Sequence, residues 1–421
     1  MQARRIVLAT FGSLGDLHPY LAIALELQRR SHDVLIATLD RYEATVRAHG
    51  IGFAPMHPRE SQIGTPERHI QALFDPKRGT EYLVRELVMP YVRQAYNDLA
   101  LAAREADVLV THPLALAGRL LAEKAGLPWV STVLSPMSLL SAIDPPIFPN
   151  APFLQGIRKL GVLPYRLAFR LARRLARGWE RPLAELRTEL GLPKAPPALL
   201  EGQFSPALNL ALFSPQLAHP QSDWPKNTVL CGAARFDGAA PDEATRSALE
   251  HFLDAGEPPI VFTLGSSAFA LAGDLWIWAV DAAKQLDRRV LLITGEASPE
   301  LPWVKGAVAA FGFLPYSLAF PRAAAVVHQG GIGTLTQALA SGRPQLVLPV
   351  AFDQPDNAAR AVRLGVARSL PFRRLDATKL ASELNTLLAG PYSERARSTA
   401  EAMSTENGAA QAAPLIAALS H

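Results

Sequence analysis

Between Val327 and Leu339 the sequence reads VHQGGIGTLTQAL, a histidine, three glycines and two threonines where an apolar run gives way to a helical pattern. A strand that ends in glycines and restarts as a helix turns several backbone N–H groups into a concavity free of side chains, which is an anion site. Gly330, Gly331 and Gly333 permit close approach and positive φ, while the Thr334 hydroxyl and the His328 ring add donors. A diphosphate suits such a turn. The spacing is not that of a P-loop, and no G-x-G-x-x-G follows the first apolar run, which argues against a nucleoside triphosphatase and a dinucleotide oxidoreductase. Glycines at such a turn also let a helix pack closely on a sheet, so the neighbouring residues decide.

Two further stretches agree with the anion reading. After the apolar run PQLVLPV comes AFDQPDNAARA, which puts Asp353 and Gln354 at a strand end, where open α/β sheets bind ligands. A carboxylate and an amide together suit vicinal sugar hydroxyls, although Asp353 can equally cap the helix that follows. Upstream, VFTLGSS places Gly265 and Ser266 at another strand end, where a hydroxyl and an amide would complete a phosphate cradle.

Near the N-terminus, ATFGSLGDLHPYLAIA passes from strand to helix through glycines and leaves Ser13, Asp16 and His18 at the turn. Activating an alcohol as a nucleophile requires a base. Asp16 is the expected base, His18 its rival, and a helix cap the alternative role for Asp16. His112, in VLVTHPLALAG, ends another strand and is expected to touch the acceptor or the base, or to sit in the core.

These residues need a scaffold. Apolar runs alternate with amphipathic segments over RIVLAT, YLAIALELQRR and DVLIAT, and again from PPIVFTLGS onward, the rhythm of βα units around parallel sheets. With 421 residues the chain accommodates two such domains, an α/β architecture of two doubly wound, Rossmann-like halves facing each other across a cleft. The expected division is an acceptor-binding domain over 1–220, a turn-rich linker over 221–242, a donor-binding domain over 243–400, and a C-terminal helix over 401–421 packing back towards the first domain.

The segment from Arg158 to Arg181 carries eight basic residues and one acidic one, with Leu167, Phe169, Leu171 and Leu175 among them. Such a basic amphipathic helix either docks on its own domain with a solvated arginine face or contacts a membrane surface. Just before it, Leu134 to Leu154 is apolar, proline-rich and aperiodic, as a loop lining a greasy acceptor groove would be. The formal net charge of +4 is not concentrated in a stripe interleaved with aromatics, which sets nucleic acid aside. A single cysteine, Cys231, leaves no internal disulfide and fits a cytoplasmic protein, placed there or at the inner face of the membrane. No apolar segment reaches the roughly 18 residues of a membrane span.

The strand-end TLGSS together with FGFLPYSLAFPRAAAVVHQGGIGTLTQALASGRPQLVLPVAFDQPDNA resembles the C-terminal donor motif of the family 1 glycosyltransferases, of GT-B architecture, and the likeness runs nearly end to end. Within that family, GSLGDLHP, SPMSLLSAIDPPIFP, QSDWP and DQPDNAARAVRLG resemble, in the same order, segments of rhamnosyltransferases that build glycolipids. The resemblance implies an inverting hexosyltransferase using a UDP- or dTDP-sugar and a hydrophobic or lipid acceptor. It places the diphosphate on His328, Gly333 and Thr334 with Ser266, the base on Phe313 and the Leu314 backbone, and the sugar on Asp353 and Gln354. Thr336 stands where plant members carry a glutamate for the ribose hydroxyls, which makes a deoxythymidine donor easier to accept. Asp16 falls on the position of the family's catalytic base, and Ser13 beside it is expected to contact the nucleotide diphosphate. No D-x-D pair accompanies the site, so no metal and no cofactor is expected, the charge on the leaving diphosphate being met by His328 and amides. Flavonoid, phenol or sterol acceptors fit the same pattern, and a UDP-sugar 2-epimerase or a non-catalytic nucleotide-sugar binder would share the fold.

Overall fold

The computed structural model describes residues 3–63, 66–149, 151–266, 268–295 and 301–419. The chain forms two compact units, Met1–Phe236 with Asn407–His421, and Asp237–Glu406.

The first unit is built on seven parallel strands: β1 (Arg5–Ala9), β2 (Asp33–Thr38), β3 (Gly52–Pro55), β4 (Val108–Thr111), β5 (Trp129–Val133), β6 (Leu208–Ala211) and β7 (Thr228–Leu230). Their order is β3-β2-β1-β4-β5-β6-β7. The chain therefore runs outward from β1 through β2 to β3, returns to the centre, and continues the other way from β4. The strand reversal lies between β1 and β4. Ile6–Ala9 of β1 and Val108–Val110 of β4 are apolar and buried, as a sheet covered on two faces demands.

The second unit repeats the plan with β8 (Ile260–Thr263), β9 (Val290–Ile293), β10 (Trp303–Lys305), β11 (Val308–Phe311), β12 (Ala325–His328), β13 (Gln345–Val347) and β14 (Ala367–Ser369). The order is β10-β11-β9-β8-β12-β13-β14, with only the β10/β11 pair antiparallel. Here the reversal lies between β8 and β12. The doubly wound pattern read from the apolar runs is thus present in both units.

The segment expected as a linker is ordered. Thr228–Leu230 adds the edge strand of the first sheet, because its residues pair in register with Asn209–Ala211. Just upstream, Asp223 accepts from the Ser141 hydroxyl (2.7 Å) and from the Ala142 amide (2.7 Å), clamping the loop that follows β5. The chain passes between units at Phe236/Asp237. At the far end, the Gly408–Ala418 helix packs on the Leu14–Arg29 helix of the first unit. Its first residue must be glycine, since a Cβ there would lie 2.2 Å from the Gly232 carbonyl oxygen.

Candidate active site and donor turn

In the first unit the polar residues collect at the reversal. After β1 the chain turns through Gly12, whose φ of +137° suits glycine alone, and enters the Leu14–Arg29 helix with Ser13 as N-cap. A Cβ on Gly12 would stand 2.2 Å from Asp16 Oδ2, so glycine is what lets the Asp16 side chain fold back. Asp16 Oδ2 accepts from the Ser13 amide (2.7 Å) and the Ser13 hydroxyl (3.1 Å), a capping box. The Ser13 hydroxyl also accepts from the Gly15 amide (3.2 Å). Ser13 thus closes the helix end and holds Asp16.

The other oxygen, Asp16 Oδ1, lies 3.3 Å from His112 Nε2, at the end of β4. The Leu114 amide donates to His112 Nδ1 (3.1 Å), so Nδ1 carries the lone pair and Nε2 the proton. His112 is 6 % exposed, with Nε2 facing the Asp16 carboxylate. An imidazole locked in this tautomer has no free lone pair towards the site and cannot itself be the base. His18 packs edge-on against Phe236 (5.1 Å between ring centroids), and burial, then the nearby His49, push its pKa down to about 4.

An apolar crevice of about 20 Å³, room for little more than a water molecule, lies in the same unit. Phe11, at the end of β1, and Leu114, two residues past His112, belong to its wall with Met56, Val88 and Val92. One polar ring enters the wall, His57, whose Nδ1 is 2.5 Å from Asp98 Oδ2. The loop expected to line the greasy groove behaves differently. Ala142 is buried in a cluster with Tyr165 and Phe169, and Leu140, Phe148 and Leu154 pack against it, while Asn150 lies outside the described residues.

In the second unit the glycine turns occupy the matching place. Gly265 (φ +64°) follows β8, and Gly330 (φ +90°) follows β12. The Ile332–Ala340 helix starts right after Gly331, so the amides of Ile332, Gly333 and Thr334 have no carbonyl partner within the helix. A Cβ on Gly333 would meet nothing within 4 Å. Thr334 is buried and shares a hydrogen bond with the Tyr316 hydroxyl. Ser266 is half-buried at the end of the β8 turn, and its neighbour Ser267 lies outside the described residues.

His328 ends β12. It is fully buried, its Nε2 donates to Gln345 Oε1 (2.9 Å), and its Nδ1 accepts from the Gly330 amide (3.0 Å). Burial pushes its pKa down to about 4. Both nitrogens thus have partners within the turn, and the ring shapes it. Gln354 is 3 % exposed, and its Oε1 accepts from the Val350 (2.9 Å) and Ala351 (3.2 Å) amides, closing its own loop. Asp353 stays half-buried, with Oδ2 held by Asn357 Nδ2 (2.8 Å), and makes no side-chain cap. The preceding residue, Phe352, has φ +56°, a costly conformation for a bulky residue. Phe313 is 57 % exposed, an aromatic face left uncovered, whereas the Leu314 side chain is buried.

Three residues of this turn carried no signal of their own in the sequence. Asn357 Nδ2 also donates to the Gly330 carbonyl (2.9 Å), tying the glycine turn to Asp353. Gln329 is 3 % exposed, packs against Gly265 and Gly331, and leaves Oε1 buried without a partner. Gln345 anchors His328 from β13.

Two doubly wound sheets that each gather their ligand-facing turns at the strand reversal constitute the GT-B architecture. Residues 6–143 match the N-terminal domain of glycosyltransferase family 28, and residues 277–419 match the C-terminal domain of the erythromycin biosynthesis protein CIII-like family. The chain is 31 % identical to O-mycaminosyltylonolide 6-deoxyallosyltransferase of Streptomyces fradiae, over 98 % of this chain and 96 % of that protein. It is 30 % identical to the glycosyltransferase GtfE of Amycolatopsis orientalis, over 99 % and 98 %. The crystal structure of the Streptomyces sp. SF2575 glycosyltransferase SsfS6 with thymidine diphosphate superposes with a TM-score of 0.69 at 19 % identity, covering 98 % of this chain and 99 % of that one. The chain belongs to this GT-B glycosyltransferase family, and it is a hexosyltransferase.

Proposed function

We propose that the enzyme moves a deoxyhexose, rhamnose in the first instance, or glucose, from a dTDP- or UDP-sugar to a hydroxyl of a hydrophobic acceptor, with inversion at the anomeric carbon. The observation that carries this reading is Asp16, with Oδ2 held by the Ser13 amide and Oδ1 lying 3.3 Å from His112 Nε2. Asp16 takes the acceptor proton as the oxygen attacks, and His112 fixes the carboxylate by donating to Oδ1. The anomeric C–O bond to the diphosphate breaks in the same step, so no sugar is carried on the enzyme. The nucleoside diphosphate leaves with its charge met by the amides of Ile332, Gly333 and Thr334. Asp353 binds sugar hydroxyls and Phe313 stacks on the base.

A thymidine donor is favoured because Thr336, 5 % exposed, brings no carboxylate for a ribose 2′-hydroxyl, and because the SsfS6 structure holds thymidine diphosphate. For the acceptor, the apolar side chains of Phe11, Met56, Val88 and Val92 favour a hydrophobic molecule, and a hydroxyalkanoyl-hydroxyalkanoate supplies both chain and hydroxyl. A polyketide aglycone is the second reading, supported by the tylonolide acceptor in the name of the Streptomyces relative.

The test combines a donor screen with two substitutions. dTDP-rhamnose, dTDP-glucose and UDP-glucose are compared by thermal shift and by product formation on each acceptor class, a bound donor raising the midpoint with its affinity. Asp16→Asn is expected to cut transfer by a factor of about 10² to 10⁴ while donor binding persists. Ser13→Ala, which loosens the same cap, costs about 1 kcal/mol of stability and leaves most of the turnover. An Asp16→Asn enzyme that transfers at the normal rate refutes the assignment of the base.

A further inference from the structure

The Val162–Trp179 helix is held on its unit by Tyr165, Phe169 and Ala176, and that buried side accounts for its fold. Its opposite side is unexplained. Leu163, Leu167, Leu171 and Leu175 stand at intervals of four and are 53–65 % exposed, and Leu160, just before the helix, is 69 % exposed. Of thirteen exposed large hydrophobic side chains among the described residues, five fall between positions 160 and 175, so this is a patch and not scatter. At about 100° per residue, the four helical leucines form one stripe, and Arg166, Arg170, Arg174 and Arg177 run along one flank of it. These four arginines are exposed and pair with no carboxylate among the described residues. Arg173, on the same flank, reaches Glu201 at 3.5 Å, and Arg158 reaches Asp144 at 3.1 Å. From 158 to 179 the sequence holds seven cations and no acidic residue.

We propose that this face docks on an anionic lipid bilayer, the helix lying in the plane of the headgroups with its leucines in the acyl boundary and its arginines on lipid phosphates. Charge decides among the occupants. A second copy of the same face would bring seven cations against seven, which repels, whereas an anionic surface neutralises them while the leucines leave water. No helix among the described residues is long and apolar enough to cross a membrane, so the contact is peripheral. The inference does not depend on which sugar or acceptor the enzyme uses.

The test is co-sedimentation of the full chain with vesicles of phosphatidylcholine and phosphatidylglycerol in equal parts, and with phosphatidylcholine alone. The protein is expected to partition onto the anionic vesicles, less so as salt rises, and weakly onto the neutral ones. The variant Arg166→Gln/Arg170→Gln/Arg174→Gln/Arg177→Gln should partition at least about a hundredfold less, each cation near the surface being worth about fivefold. Leu163→Gln/Leu167→Gln/Leu171→Gln/Leu175→Gln should lose the residual partition as well. Every substituted side chain is exposed, so the melting temperature and dTDP binding should stay at their original values. Failure of the unaltered protein to bind anionic vesicles overturns the proposal, as does equal binding by both variants. A dimer in sedimentation velocity that the leucine variant dissolves would place a second copy on this face instead.

Discussion

Gly333 separates the stability of the donor turn from its function. It stands in the first turn of the Ile332–Ala340 helix with ordinary helical backbone, is exposed, and has nothing within 4 Å of where a Cβ would project. Alanine is therefore free to enter. Removing a glycine at a compatible position restricts the unfolded chain, so Gly333→Ala should stabilise the free enzyme by about 0.4–1 kcal/mol. If the diphosphate sits on the amides of Ile332, Gly333 and Thr334, the same methyl group occupies the space of a phosphate oxygen. One lost or stretched charge-assisted hydrogen bond is worth about 1.5–3 kcal/mol, so dTDP should bind roughly ten- to a hundredfold more weakly. Urea unfolding without ligand gives the first quantity and calorimetric titration with dTDP the second. Because the two effects have opposite signs, a folding defect cannot imitate the loss of binding. A variant that is more stable and binds dTDP unchanged would show that the turn does not seat the diphosphate.

Gly330→Ala is the counterpart: at φ +90°, with its Cβ 2.7 Å from Val347 Cγ1, it should cost about 1–3 kcal/mol and donor binding together, measured by the same two methods. Phe313→Ala removes an exposed ring and should leave stability within about 0.5 kcal/mol while raising the KM for the donor, with kcat little changed; an unaltered KM would remove the ring from the base site. The buried neutral His328, with its pKa near 4 against 6.5 in an unfolded chain, supports stability fully above about pH 6.5 and loses that support as pH falls towards 4. Between pH 7.5 and 4.5 the loss should be about 2–3 kcal/mol in urea titrations, and it should shrink in His328→Gln; an identical pH dependence in that variant would refute the buried neutral ring. Transfer should proceed at full rate in excess EDTA, and a complete loss would refute a reaction that relies on amides alone for the leaving group.

The sheets were legible because parallel strands covered on both faces must be apolar along their whole length, and runs such as RIVLAT and AAAVVH have no other easy explanation. Their order also carried the site, since turns after the first strand of each half fall at the reversals that topology creates. Residue roles were less legible for a physical reason. A strand-end histidine followed by glycines looks the same whether its ring faces a ligand or the core. Only the contacts show that His328 is spent on Gln345 and Gly330. Ser13 and Gln354 pose the same difficulty, because polar side chains beside a turn also satisfy backbone groups of their own segment. The partnership of Asp16 with His112 spans 96 positions and has no local signature. Thr228–Leu230 was hidden among turn formers, because an edge strand of three residues adds almost no periodic signal.

The division of labour within single side chains explains why these turns are built from so few residue types. A free carboxylate on a flexible loop samples many orientations and is in place for only a fraction of encounters. Asp16 avoids this by giving Oδ2 to the helix end, a contact that stabilises the fold whether or not substrate is present, and the capped geometry then aims Oδ1. Gly12 is the condition for that arrangement, since any Cβ there would occupy the carboxylate's own position. In the second unit the same logic is inverted. His328 is withdrawn from solvent to hold the Gly330 amide, and the backbone that it shapes supplies the donors. Hydrogen bonds made before substrate arrives need no reorganisation when charge develops, and that is the electrostatic preorganisation on which transfer to an unactivated hydroxyl depends.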